Sequence, residues 1–181
     1  MLDIATAYNR YKFIGHEFLT WLWYLIETDG HRLGQADPPA IVLALGKRIV
    51  LENPRENHAE KVTIKGAYAN FEAGILPLRQ GSLVTELSLE AKAAEMTWEF
   101  NLKGESLSVS AMKISTTGPI ESLDDVEGAL LEKVYLLEKI LKFIDKLFER
   151  FIKVRVSNDW ENKTVPKIRQ WIINNEDRSN V

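Results

Sequence analysis

Residues 13–26 read Phe-Ile-Gly-His-Glu-Phe-Leu-Thr-Trp-Leu-Trp-Tyr-Leu-Ile and hold two of the five tryptophans in the chain. Ile14, Phe18, Trp21, Leu22 and Leu25 share the spacing of one helix face. Phe13, Trp23, Tyr24 and Ile26 fall beside that stripe, so the helix is apolar around most of its girth. Such a helix must be covered on more than one side. The expectation is a core helix with a sheet against it and a later long helix on another flank. Gly15, His16, Glu17 and Thr20 interrupt the run, leaving it short of the ~20 apolar residues that cross a bilayer.

Periodicity orders the rest of the chain. The first helix is expected over 8–28, ended by Asp29-Gly30, with a loop over 31–39 containing Pro38-Pro39. Two short apolar runs, 40–45 and 48–52, flank Gly46-Lys47 and read as a tight type II′ hairpin. A polar connection over 53–60 leads to a half-buried strand at 61–65. Residues 68–80 read as a short bent helix with Pro77 inside it. Alternation then predicts strands over 82–91, 96–103 and 107–114. In the last, Leu107 and Val109 give way to Met112 and Ile114, which places a bulge near Ser110.

The longest element is a helix over 122–155, started by Ser122 with Asp125 three residues on. Leu130, Val134, Leu137, Leu141, Ile144, Phe148 and Phe151 step by fours and threes, as in a coiled-coil seam. At ~1.5 Å per residue it is ~45–50 Å long, more than a domain of this size needs. Leu137, Leu141, Ile144, Phe148 and Phe151 are therefore candidates for an oligomer interface. A last helix over 165–174 follows Thr164, with Pro166 in its first turn.

The predicted fold is α+β: an antiparallel sheet of about five to six strands, packed by the N-terminal aromatic helix and the long C-terminal helix. The sheet domain with its first helix occupies 1–121 and the two C-terminal helices 122–181, forming one domain overall. The chain has no cysteine, which excludes disulfides, thiolate metal sites and cysteine nucleophiles. With no signal pattern at its start it reads as cytoplasmic.

No catalytic pattern is present. His16-Glu17 has Thr20 where a zincin needs its second histidine, and His16, His31 and His58 stand on separate elements at no metal-ligand spacing. Gly46-Lys47-Arg48 lacks the upstream glycine and the hydroxyl residue of a phosphate loop. There is no ground for expecting an enzyme, a cofactor or a metal.

The remaining signal is charge. The net charge is −3, yet Lys139, Lys142, Lys146, Arg150 and Lys153 recur at threes and fours along the long helix. Arg155, Lys163, Lys167 and Arg169 follow, with Trp160 and Trp171 nearby. A basic helical stripe of this kind can meet nucleic-acid phosphates. It is more often what a solvated helix C-terminus looks like, with Glu138 and Glu149 as i, i+4 partners.

Residues 13–24 resemble the G-x-E-F-L-x-W-L-W-aromatic stretch of some members of the RdgC family of bacterial recombination-associated DNA-binding proteins. Val62-Thr63-Ile64-Lys65, the bent helix and Gly81-Ser82-Leu83-Val84-Thr85-Glu86-Leu87 resemble that family's strand, short helix and G-x-V-V-T-x-L strand. The Trp98-Glu99-Phe100 hairpin follows in the same order, so the resemblance covers roughly 13–114. It implies an α+β protein that binds double-stranded DNA without sequence preference, forms a homodimeric ring and restrains recombinase. The large N-terminal portion of that family is missing here, and the C-terminal helix is longer; both departures bear on ring closure and recombinase control. Lys65 matches a basic position of the family, which adds it to the stripe residues as a DNA-contact candidate. The rival expectation is an interaction scaffold that uses the long-helix seam and binds no nucleic acid.

Overall fold

The computed structural model describes residues 13–29, 40–53, 60–66, 71–115 and 123–174. The expected start of the first helix at Tyr8, the 31–39 loop with His31, the 54–59 connection with His58, residues 68–70 and the Ser122 cap lie outside these residues. The elements are α1 (Phe13–Asp29), β1 (Val42–Asn53), β2 (Glu60–Lys65), α2 (Phe71–Arg79), β3 (Leu83–Ala93), β4 (Met96–Lys103), β5 (Val109–Ile114), α3 (Leu123–Arg155), a π-helical turn (Trp160–Thr164) and α4 (Val165–Asn174). One antiparallel sheet of five strands runs in the order β2-β1-β3-β4-β5. The fold is α+β, with the aromatic helix and the long helix packed on that sheet.

The expected hairpin at Gly46-Lys47 does not form. β1 runs straight through it, paired with β2 on one side and β3 on the other. Leu45 pairs with Leu89 and Ile49 with Leu87, so residues 46–48 stand opposite Ser88 alone. The glycine thus serves a bulge within one long strand. A Cβ on Gly46 would lie 2.6 Å from the Ser88 hydroxyl, which is why the bulge carries a residue without a side chain there. Merging the two runs gives five strands among the described residues. It also buries Leu43, Ile49 and Leu51 in one continuous core.

The bulge expected near Ser110 is present one residue on. Asn101 pairs with Ser110 and Glu99 with Lys113, leaving an extra residue in β5. Ala111 takes φ 52°, the left-handed backbone that such an insertion uses. The β3–β4 hairpin turns at Ala94-Glu95 with Ala94 at φ 51°, so β3 runs two residues beyond its predicted end. No glycine marks that turn, which is why its position was hidden.

α1 is enclosed as its composition demands. Its first turn abuts the β4–β5 turn, and the buried His16 ring meets the Val84 carbonyl of β3 through Nδ1 at 3.0 Å. On the opposite flank, Phe18 packs against Phe151 (5.4 Å between ring centroids) and edge-on against Phe148 (5.2 Å). Trp21 also meets Phe151, which is capped in turn by Trp160 at 5.6 Å. Trp23 meets Trp171 of α4 edge-on at 5.6 Å. The sheet thus covers one side of α1, and the end of α3 with α4 covers the other. Buried aromatic pairs in such offset and edge geometries add about 0.5–1.5 kcal/mol each beyond their area.

α3 joins the sheet where Trp98 of β4 donates its indole N–H to the Leu136 carbonyl at 3.1 Å. From there to Arg155 the helix presents Leu136, Ile140, Ile144, Leu147 and Phe151 inward. α4 is held by Arg79 of α2, whose guanidinium donates to the Ile172 and Ile173 carbonyls at 3.0–3.1 Å. A cation on the free carbonyls of a helix C-terminus is favourable both as hydrogen bond and as charge.

Candidate nucleic-acid interface

The second half of α3 sorts its side chains by face. At 3.6 residues per turn, Lys139, Lys142, Lys146, Arg150 and Lys153 fall within about 80° of one another. Lys139 is half-buried, and the other four are exposed. They lie roughly 150° around the helix from the line through Leu130, Val134, Leu137 and Leu141. The basic stripe and the apolar seam therefore occupy opposite faces.

The expected i, i+4 partners are also present. Lys142 meets Glu138 at 3.2 Å and Lys153 meets Glu149 at 2.7 Å, all four side chains more than 60 % exposed. The Lys153 hydrogen bond and charge hold the Glu149 carboxyl below the usual carboxylate range. Exposed pairs of this kind contribute about 0–1 kcal/mol and are screened by salt. They do not lock the lysines against a stronger anion.

At the end of the stripe the chain reverses through Val156–Asp159 into the π-helical turn. This brings Lys163 and Lys167 alongside Arg150 and Lys153. With Ser157, Asp159 and Thr164 they line an open cleft of about 400 Å³. Asp159 is engaged by Lys163 at 2.9 Å. The cleft holds four cations against one carboxylate. Its convergence depends on the turn at 156–159, which side-chain spacing along one helix does not reveal.

Other candidates part from the stripe. Lys65 is exposed at the end of β2, the edge strand farthest from β5, whereas α3 meets the sheet at β4 and β5. It stands across Arg48 of β1, which pairs with Glu86 at 3.3 Å. Arg155 turns inward, donating to Glu17 at 2.6 Å with its guanidinium 5.1 Å from the Trp160 ring centre. Trp160 and Trp171 are buried on Phe151 and Trp23, so neither offers a face to a base.

The seam divides. Ile144 and Phe151 are buried and Phe148 packs on Phe18, so these three serve the chain's own core; α1 lies over Phe148 and Phe151. Leu137 and Leu141 remain 37 % and 38 % exposed. His16 and Glu17, which lack partners at any local spacing, find them in Val84 and Arg155. Among the described residues no group of histidines and carboxylates could hold a metal ion, and no helix is long and apolar enough to cross a membrane. No protein-family model matches the chain, and no curated protein matches it.

Proposed function

We propose that this protein binds double-stranded DNA without sequence preference, by contact between phosphates and the basic face of α3. The observation that carries the reading is the placement of Lys139, Lys142, Lys146, Arg150 and Lys153 on one face, extended around the cleft by Lys163 and Lys167. Flexible lysines reading a backbone give affinity without base contacts. Binding then comes mainly from release of counterions, with non-specific dissociation constants of roughly 10⁻⁴–10⁻⁶ M at physiological salt. The resemblance of residues 13–114 to the RdgC family points the same way and would place the protein on the bacterial nucleoid, in the cytoplasm. No catalytic role belongs to this reading.

The test is duplex binding at rising salt. With five phosphate contacts, log K against log[salt] should fall with a slope of about −4 to −5. No binding at low ionic strength overturns the proposal. A scaffold that binds no nucleic acid is the second reading, favoured by the exposed apolar residues on the first half of α3. Those residues lie opposite the stripe, so a protein contact through them would not by itself block nucleic-acid binding.

A further inference from the structure

Nothing among the described residues covers one face of the first half of α3. Val126, Leu130, Leu131, Val134, Leu137 and Leu141 are 37–64 % exposed and adjoin one another along the helix. Single exposed apolar side chains are ordinary on a protein surface, whereas a contiguous strip marks an interaction site. Leu130, Val134, Leu137 and Leu141 take successive d, a, d and a positions of a heptad. Val126 and Leu131 fall on the flanking g and e positions.

We propose that this strip pairs with the same strip of a second copy as a parallel, two-stranded coiled coil. Of the two a positions Val134 is β-branched and Leu141 is not, and both d positions are leucine; the Val134 layer with leucine at d is the combination that favours two parallel strands. In a parallel pair each g residue faces the e residue five positions on in the other chain. That sets Lys133 against Glu138 of the second copy, and Val126 against its Leu131. An antiparallel pair that matched Leu130 to Leu141 and Val134 to Leu137 would face g with g and e with e positions, so Lys133 would not meet Glu138. Glu138 also meets Lys142 of its own helix at 3.2 Å, an exposed pair that leaves its carboxylate able to accept Lys133.

The ends of the seam are defined. Glu127 occupies the next a position toward the N-terminus and stops it there. Ile144, the next d position, already belongs to the chain's own core. About two and a half heptads of paired helix bury on the order of 1,000 Å² in total, at the low end of specific interfaces. The second half of α3 is fixed on the sheet and α1, so little ordering is needed on association. Area alone does not fix affinity, and association is expected at concentrations up to about 100 µM. The proposal does not depend on nucleic-acid binding.

The absence of cysteine makes the arrangement directly testable in the full chain. Leu130→Cys and Leu141→Cys should each form a disulfide-linked dimer on mild oxidation, because a parallel seam sets each position beside itself. Val156→Cys, off the seam and 78 % exposed, should not. Light scattering should show a dimer that Val134→Asp converts to a monomer; below the dimer range the variant and the wild type should unfold at the same temperature, since Val134 is 46 % exposed. Lys133→Glu should weaken association several-fold, and adding Glu138→Lys should restore it. A wild-type monomer at ~100 µM overturns the proposal. So does a dimer in which neither seam cysteine cross-links.

Discussion

A methyl group on Gly15 would overlap the Gly104 carbonyl. The first turn of α1 and the β4–β5 turn meet backbone to backbone, with Gly104 N–H donating to the Thr85 carbonyl at 2.9 Å. This contact seats α1 on the sheet and sets where every aromatic behind it falls.

Gly15→Ala should therefore destabilise the protein, although alanine is the better helix former by about 1 kcal/mol. The helix would have to lift off the turn, an overpacking cost of about 1–3 kcal/mol or more. Gly128 offers the control: it is also helical, but a Cβ there meets nothing within 4 Å. Gly128→Ala should stabilise by up to about 1 kcal/mol. Thermal unfolding of the two variants should shift in opposite directions, by ~2–4 °C per kcal/mol for a chain of this size. Shifts of the same sign would mean that the glycine crossing is not tight.

The seam of α3 supplies a second contrast within one helix. Phe151 is fully buried between Phe18, Trp21 and Trp160, so Phe151→Ala should cost about 3–5 kcal/mol. Leu130 is 61 % exposed, and Leu130→Ala should change the stability of the monomer by no more than about 0.5 kcal/mol. Urea unfolding at concentrations below the dimer range separates the two.

Most of the fold was legible because it obeys local periods: two in β3, β4 and β5, and 3.6 in α1 and α3. The site was legible only as a line of cations. What stayed hidden depended on residues far apart in the chain. Gly46-Lys47 between two apolar runs has the pattern of a tight turn, and only the position of Ser88 in β3 makes it a bulge. His16 finds Val84 across 68 residues, and Glu17 finds Arg155 across 138. The seam looks uniform from Leu130 to Phe151. Its division into a buried and an exposed half is decided by where Trp98 meets Leu136 and where α1 ends.

For the DNA reading, Lys142→Ala/Lys146→Ala/Arg150→Ala should reduce the salt slope of duplex binding by about 2.7, at ~0.9 per lost phosphate contact. Lys65→Ala, at the far edge of the sheet, should leave the slope within error of wild type. Thermal stability should change by no more than an exposed ion pair or two contribute, about 0–1 kcal/mol each, because Lys65, Lys142, Lys146 and Arg150 are all exposed. If Lys65→Ala alone lowered the slope by one contact, the nucleic-acid surface would extend over the sheet edge.

The opposition of seam and stripe makes a further prediction once both operate. In a parallel pair joined along Leu130, Val134, Leu137 and Leu141, the two basic faces point away from each other. They cannot close around one duplex, so a dimer should hold two. Wild-type protein on an immobilised duplex should then retain a second, labelled duplex. Val134→Asp should bind the immobilised duplex yet release the labelled one. Retention that survives Val134→Asp would show that one chain carries two separate DNA surfaces.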